Sequence, residues 1–206
     1  MTISSAFRLL ILIATLFGGV SCSVNKNFNT RELQLIHEGS ASERMHLTTI
    51  AQPKDSIILR TKSIDIKTIK NNKALQILLK RMLVTMIAEE GIGIAAPQVG
   101  INRNIFLFTK FEGDKEQVQV AINPKIIKHS ENKVCFQRDG CLSVPDKRGN
   151  SLRYEWIEVT YYNEEGKLIK ERLTGYHRPN DFSNIIFQHE FDHINGKLYI
   201  DKLCNH

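Results

Sequence analysis

Apolar residues recur at helical spacing between residues 72 and 89, where Leu75, Leu78, Leu79, Met82, Leu83 and Met86 fall on one side and predict a long helix. A second helix is expected over 181–195, led in by the apolar run Ile185-Ile186-Phe187. Between the two, residues 105–108, 118–122 and 156–162 are rich in β-branched and aromatic side chains and predict strands. The last of these runs into Asn163-Glu164-Glu165-Gly166, a turn sequence. Strands flanked by two helices make an α+β pattern.

The first 22 residues have a different pattern. The apolar stretch from Leu9 to Phe17 follows one basic residue, Arg8, and gives way to Gly18, Gly19, Ser21 and Cys22. This is the charge, apolar and small-residue order of an export signal or anchor, and it is short for a membrane span. Cys22 resembles the acceptor cysteine of a bacterial lipoprotein signal, although Gly19 departs from the aliphatic residue preferred there. An organellar presequence is the other option, since no acidic residue precedes Glu32. The expected organisation is a leader over 1–22, a linker over 23–44 and one catalytic domain over 45–206. The expected location is membrane-associated or exported, the alternative being cytoplasmic.

With 206 residues, 42% of them apolar, the chain can bury one sizeable core, and no repeat or low-complexity linker divides it. The net charge of +6 favours anionic surfaces in general, ribosomal RNA included. Its basic residues are nevertheless interspersed with acidic ones, so no specific nucleic-acid site is expected.

The chemistry concentrates in His189-Glu190-Phe191-Asp192-His193. Histidines four apart project from one face of a helix and can grip a single metal ion, with Glu190 beside the remaining coordination position. A metal so held lowers the pKa of water towards ~7, and a carboxylate within reach can take and return the proton. An ordinary solvated helix is the competing reading, but the apolar lead-in and Gly196 point to burial, where unpaired histidines are costly. Metzincin proteases would continue to a third histidine, and this chain has Tyr199 there. The third ligand must come from elsewhere. Of the four cysteines, at 22, 135, 141 and 204, Cys141 is best placed, in Gly140-Cys141-Leu142-Ser143-Val144-Pro145. Cys135 and Cys204 read as small buried or terminal residues without a disulfide pattern. Asp192 either orients a histidine or is a helix-surface charge. Residues 91–96 also fit a dinucleotide-loop pattern, but helical residues precede them and Pro97 follows, which excludes the strand–loop–helix context.

Three short motifs then occur in order: Gly91-Ile92-Gly93-Ile94-Ala95-Ala96-Pro97-Gln98, Asp139-Gly140-Cys141-Leu142-Ser143, and Gln188-His189-Glu190-Phe191-Asp192-His193. Together they resemble the peptide deformylase family over residues 45–203. The resemblance implies mostly antiparallel sheets around a central helix carrying the HExxH motif. It implies metal ligation by Cys141, His189 and His193, with Glu190 as catalytic acid/base and the Gln98 side chain and Leu142 amide stabilising an oxyanion. It also implies substrate contacts at Gly93, Ile94 and Arg148. The implied metal is Fe²⁺, with Zn²⁺, Ni²⁺ or Co²⁺ as substitutes. The implied reaction is hydrolysis of the N-formyl group from the initiator methionine of newly made polypeptides, releasing formate. N-formyl-methionyl chains are the partners this implies, in the neighbourhood of the ribosome; a membrane is a partner expected from the leader, not from the resemblance. An HExxH endopeptidase and a catalytically idle metal-binding adaptor are the alternatives.

Three positions depart from the family pattern. Asp139 stands where glutamate is usual, and its shorter side chain is expected to weaken pairing with an arginine such as Arg153. Ile94 replaces leucine at nearly constant volume. Residues 177–181 look like an insertion ahead of the metal helix.

Overall fold

The computed structural model describes residues 27–113, 115–179 and 181–205. The leader and Cys22 lie outside the described residues. Among those described, no helix is long and apolar enough to cross a membrane.

The long helix is α3, Lys73–Ala88, whose Asn72 side chain accepts a hydrogen bond from the Leu75 amide. The expected strands are β2 (Ile105–Glu112), β3 (Lys115–His129) and β6 (Ile157–Tyr162), all longer or shorter than the apolar runs that announce them. With β1 (Gly93–Ala95) and β7 (Leu168–Leu173) they form an antiparallel sheet in the order β1-β2-β3-β6-β7. A separate antiparallel pair, β4 (Lys133–Cys141) and β5 (Val144–Tyr154), makes a hairpin.

Alternation along β1 and β2 divides two cores across the sheet. Ile94, Ile105 and Leu107 pack with Leu75, Leu78, Met82 and Met86 of α3. Ala95, Phe106 and Phe108 instead pack with Ile185, Ile186 and Phe187 of α4, Ser183–Ile194. Successive side chains of a strand point to opposite faces, so the unbroken apolar run Ile105-Phe106-Leu107-Phe108 reports burial on both. Phe187 meets Phe106 and Phe108 edge-to-face, at centroid distances of 4.9 and 5.2 Å.

The segment 23–44, expected as a linker, is folded in its described part. Thr30–His37 forms α1, opened by a capping box between Asn29 and Glu32. Glu32 forms an ion pair with Arg103 at 2.6 Å, both side chains nearly buried. Arg81 of α3 donates to the carbonyls of Leu35 and Ile36 at 2.7 and 3.1 Å, satisfying groups at the end of α1. Leu33, Leu35 and Ile36 also pack on the α3 core, but α1 spans only eight residues, too short for their spacing to mark a helix on its own. A short helix, α2 (Pro53–Leu59), follows.

Candidate metal centre

Every residue of α4 except Phe191 is buried. The helix is fastened to the end of β5 by amide side chains. Asn184 donates to the carbonyls of Tyr154 and Glu155 at 2.8 and 2.9 Å, and Gln188 both donates to Tyr154 O and accepts from Tyr154 N, each at 2.9 Å. Beyond α4, Gly196 takes φ 69°. A Cβ there would run into the carbonyl of Arg60, so the turn requires glycine on both counts.

This helix and the end of β4 bring Cys141, His189 and His193 together, with one donor atom of each within 4.8 Å of the others. Cys141 Sγ is 3.2 Å from His193 Nε2 and accepts from the Ser143 amide at 3.4 Å. His189 Nδ1 lies 3.1 Å from Asp139 Oδ1, which leaves its other ring nitrogen for a ligand. Burial opposes a charge on His189, but Asp139 outweighs it and holds the imidazole well above its usual pKa. His193 is pushed the other way, by burial and then by the charge of His189. A thiol and two buried imidazoles gathered this closely, with His193 Nδ1 unpartnered, suit a cation held between them.

Asp139 is better satisfied than its length predicts. It receives Arg153 at 2.9 Å and the Ser151 hydroxyl at 2.5 Å besides His189. Although burial works against ionisation, His189 and Arg153 hold its carboxyl far below the ordinary range. Ser151 and the full burial of Arg153 make up for the missing methylene. Asp192 takes neither role expected of it. It is buried and accepts from Arg153 at 2.6 Å and Lys202 at 2.5 Å, so it serves as a counter-charge to Arg153.

Glu190 points into the centre with Oε2 buried and unpartnered. Burial pushes its carboxyl up to about 7, within reach of both proton states near neutrality. Gly93 makes room for it, because a Cβ at that position would overlap the Glu190 carboxylate. Gln98 is buried, its Oε1 accepting from the Ala95 amide at 2.8 Å and its Nε2 3.7 Å from Cys141 Sγ. The Ile94 side chain belongs to the α3 core, so only its backbone can meet a substrate. Arg148 pairs in register with Gly140 on the hairpin, where a Cβ would strike its guanidinium. A cavity of about 890 Å³ is lined by Cys141, Leu142, Arg148, Gln98, His189 and Glu190, among others.

Cys135 and Cys204, expected as unpaired, form a disulfide that ties the C-terminal segment to β4. The tail is also held by the Cys204 amide, which donates to Asn150 O at 2.9 Å. The pairing could not be read from spacing, since the two lie 69 residues apart and only the hairpin and tail bring them together. Tyr199, on the 3-10 turn Tyr199–Lys202 before the tail, stacks at 6.2 Å from His189.

A cysteine sulfur and two imidazoles within 4.8 Å of one another, with a buried carboxylate beside them at a cavity, have the composition of a mononuclear metallohydrolase site. The profile of the polypeptide deformylase family matches residues 47–206. A peptide deformylase of Synechocystis sp. is 39% identical over 138 residues, covering 66% of this chain and 70% of that protein. The solved structure of the Thermotoga maritima peptide deformylase aligns with a TM-score of 0.66 at 31% identity, over 79% of this chain and 99% of that one. A probable peptide deformylase from Synechococcus phage S-SSM7 aligns with 0.66 at 36% identity, over 77% and 99%. The chain belongs to the polypeptide deformylase family. Its activity is metal-dependent hydrolysis of the N-formyl group at polypeptide N-termini.

Proposed function

We propose that Cys141, His189 and His193 hold one divalent metal and that Glu190, Gln98 and the Leu142 amide perform deformylation beside it, with α4 as the central helix presenting the HExxH motif. The observation that carries this assignment is the unpartnered Glu190 oxygen at the cavity that Cys141 and His189 line, with His193 gathered beside those two. When bound, the metal supplies Lewis acidity, polarising the formyl carbonyl and acidifying water. Glu190 takes a proton from the attacking water and passes it to the amide nitrogen as the C–N bond breaks. Formate and a free amine result. Gln98 Nε2 and the Leu142 N–H donate to the oxygen that gains charge during attack, both fixed by their proximity to Cys141. β1 is an edge strand, and the backbone of Gly93 and Ile94 offers it to an extended formyl-methionyl peptide, with Arg148 across the cavity.

Formate release from a formyl-Met peptide tests the assignment. Glu190→Gln is expected to lower kcat by roughly 10²–10⁴-fold, the usual worth of a positioned acid/base, with metal content retained. Unchanged kcat would remove Glu190 from the chemistry. For the metal we propose Fe²⁺, so activity should decay in air and return on anaerobic loading with Fe²⁺ or Ni²⁺. Air-stable activity tracking zinc content would replace iron by zinc.

The leader is proposed to place the enzyme at or across a membrane, facing an oxidising compartment. Residues 1–22 have the composition for targeting, and the Cys135–Cys204 disulfide belongs to a setting where thiols are not kept reduced. Fractionation with protease accessibility and thiol trapping checks this. A full-length chain found in the soluble cytoplasm with both thiols free would overturn it.

A further inference from the structure

The cavity carries positive charge that deformylation itself does not use. Arg178 lies between His177 and Asp181, which two backbone hydrogen bonds join: His177 N–H to Asp181 O at 2.7 Å and Asp181 N–H to His177 O at 3.0 Å. Its guanidinium lies 4.8 Å from the ring centroids of both Phe136 and Phe182. Those rings are buried and stack on each other at 5.9 Å, so they form a fixed platform for an otherwise flexible side chain. Arg178 lines the same cavity as Cys141, Glu190 and Arg148.

No described carboxylate answers this charge. Asp139 is already taken by Arg153, Ser151 and His189. The acidic residues elsewhere on the lining, Glu89, Glu90 and Asp146, make no ion pair with Arg178 or Arg148, and Glu89 faces Arg44 at 3.4 Å. Burial draws Arg178 below its ordinary pKa; Asp139 opposes this, and Arg148 and Arg138 add to it. A guanidinium held over an aromatic platform, with a second lining the same cavity, is a receptor for a carboxylate, which a guanidinium binds through two parallel hydrogen bonds.

We propose that Arg178, with Arg148 beside it, binds a carboxylate of the substrate, so that the enzyme prefers N-formyl peptides bearing a carboxylate within a few residues of the formyl-methionine. This rests on the deformylase reading of the site. The cavity of about 890 Å³ has room for a ligand of a few residues and sets the reach. The carboxylate is either the C-terminus of a short peptide or an acidic side chain near the N-terminus of a longer one.

Four tripeptides separate these sources: formyl-Met-Ala-Ala as the free acid, the same peptide as its amide, formyl-Met-Ala-Glu amide and formyl-Met-Ala-Gln amide. The metal-loaded enzyme is expected to favour each carboxylate peptide over its neutral match by roughly 3–10-fold in kcat/KM, the size of a part-exposed charge-assisted contact, chiefly through KM. Arg178→Gln should abolish that preference. Preference for the free acid alone assigns the C-terminal carboxylate, and preference for the Glu peptide alone assigns the side chain; either supports the proposal. Equal rates in the unaltered enzyme, a preference that survives in Arg178→Gln, or an equal loss on all four peptides would overturn it. Absence of turnover with any of the four would overturn the deformylase reading itself, a result distinct from lost preference.

Discussion

His189 and His193 stand on a helix of which only Phe191 escapes burial, whereas Cys141 ends a hairpin strand in which only Phe136 and Asp139 are fully buried. The two sides of the candidate metal centre are therefore held by different forces. On the helix side, Ile185, Ile186 and Phe187 are locked into the apolar core beneath the sheet. The hairpin has little apolar surface to offer and is held instead by point contacts: the Asp139–Arg153 pair, the Ser151 hydroxyl, and the disulfide to the tail. Arg153 joins the two sides, since its guanidinium binds Asp139 of β4 and Asp192 of α4 together. A site divided in this way gains a rigid half from packing and an orientable half from polar contacts.

The joint should be the most costly to break. Arg153→Met removes the buried cation shared by Asp139 and Asp192, leaving Asp139 to His189 and Ser151 and Asp192 to Lys202, and a stability loss of about 3–5 kcal/mol is expected in urea unfolding. A loss under about 1 kcal/mol would mean that the halves are joined by packing after all. Next comes the tail. Cys204→Ser should cost about 2–4 kcal/mol, less in thermal unfolding than the arginine change, because it releases only the hairpin side. A silent Cys204→Ser would show that Tyr199 and the backbone contact of Cys204 suffice to hold β4. The smallest effect on stability should come from Asp139→Asn, which keeps the shape while removing the charge that orients His189. Metal affinity is expected to fall by roughly 10–100-fold, as for other groups behind a ligating histidine, read by competition with a chelator. Unchanged affinity would confine Asp139 to a structural part.

Legibility in the sequence follows the same division. The Leu75-to-Met86 spacing of α3, the strand runs in β2, β3 and β6, and the HExxH helix all carry an apolar period, because each buries a continuous face. β4 and β5 bear exposed charges such as Lys133, Arg138, Lys147 and Arg148, so no alternation marks them as strands. α1 is too short to show a clear period, although Leu33, Leu35 and Ile36 pack on the core beside the Glu32–Arg103 pair and the Arg81 contacts with its carbonyls. Among candidate site residues, the motif positions stood out one by one, and the fold gathers donor atoms of Cys141, His189 and His193 within 4.8 Å. Ser151, Tyr199 and Arg178 did not stand out, since each acts by lying beside a residue distant in sequence.

By itself the sequence determined the α+β class and the family, and it singled out Cys141, His189, His193 and Glu190 as candidates, because these depend on local spacing and on chemistry that each residue carries wherever it stands. Tertiary structure decided the rest. Whether Asp139 could serve in place of a longer glutamate, what Asp192 pairs with, whether Cys135 finds Cys204, and which charges at the cavity stay unanswered are matters of distance between segments far apart in the chain. Ion pairs and disulfides form only when folding brings their atoms within a few ångströms, and no periodicity along the chain records that approach.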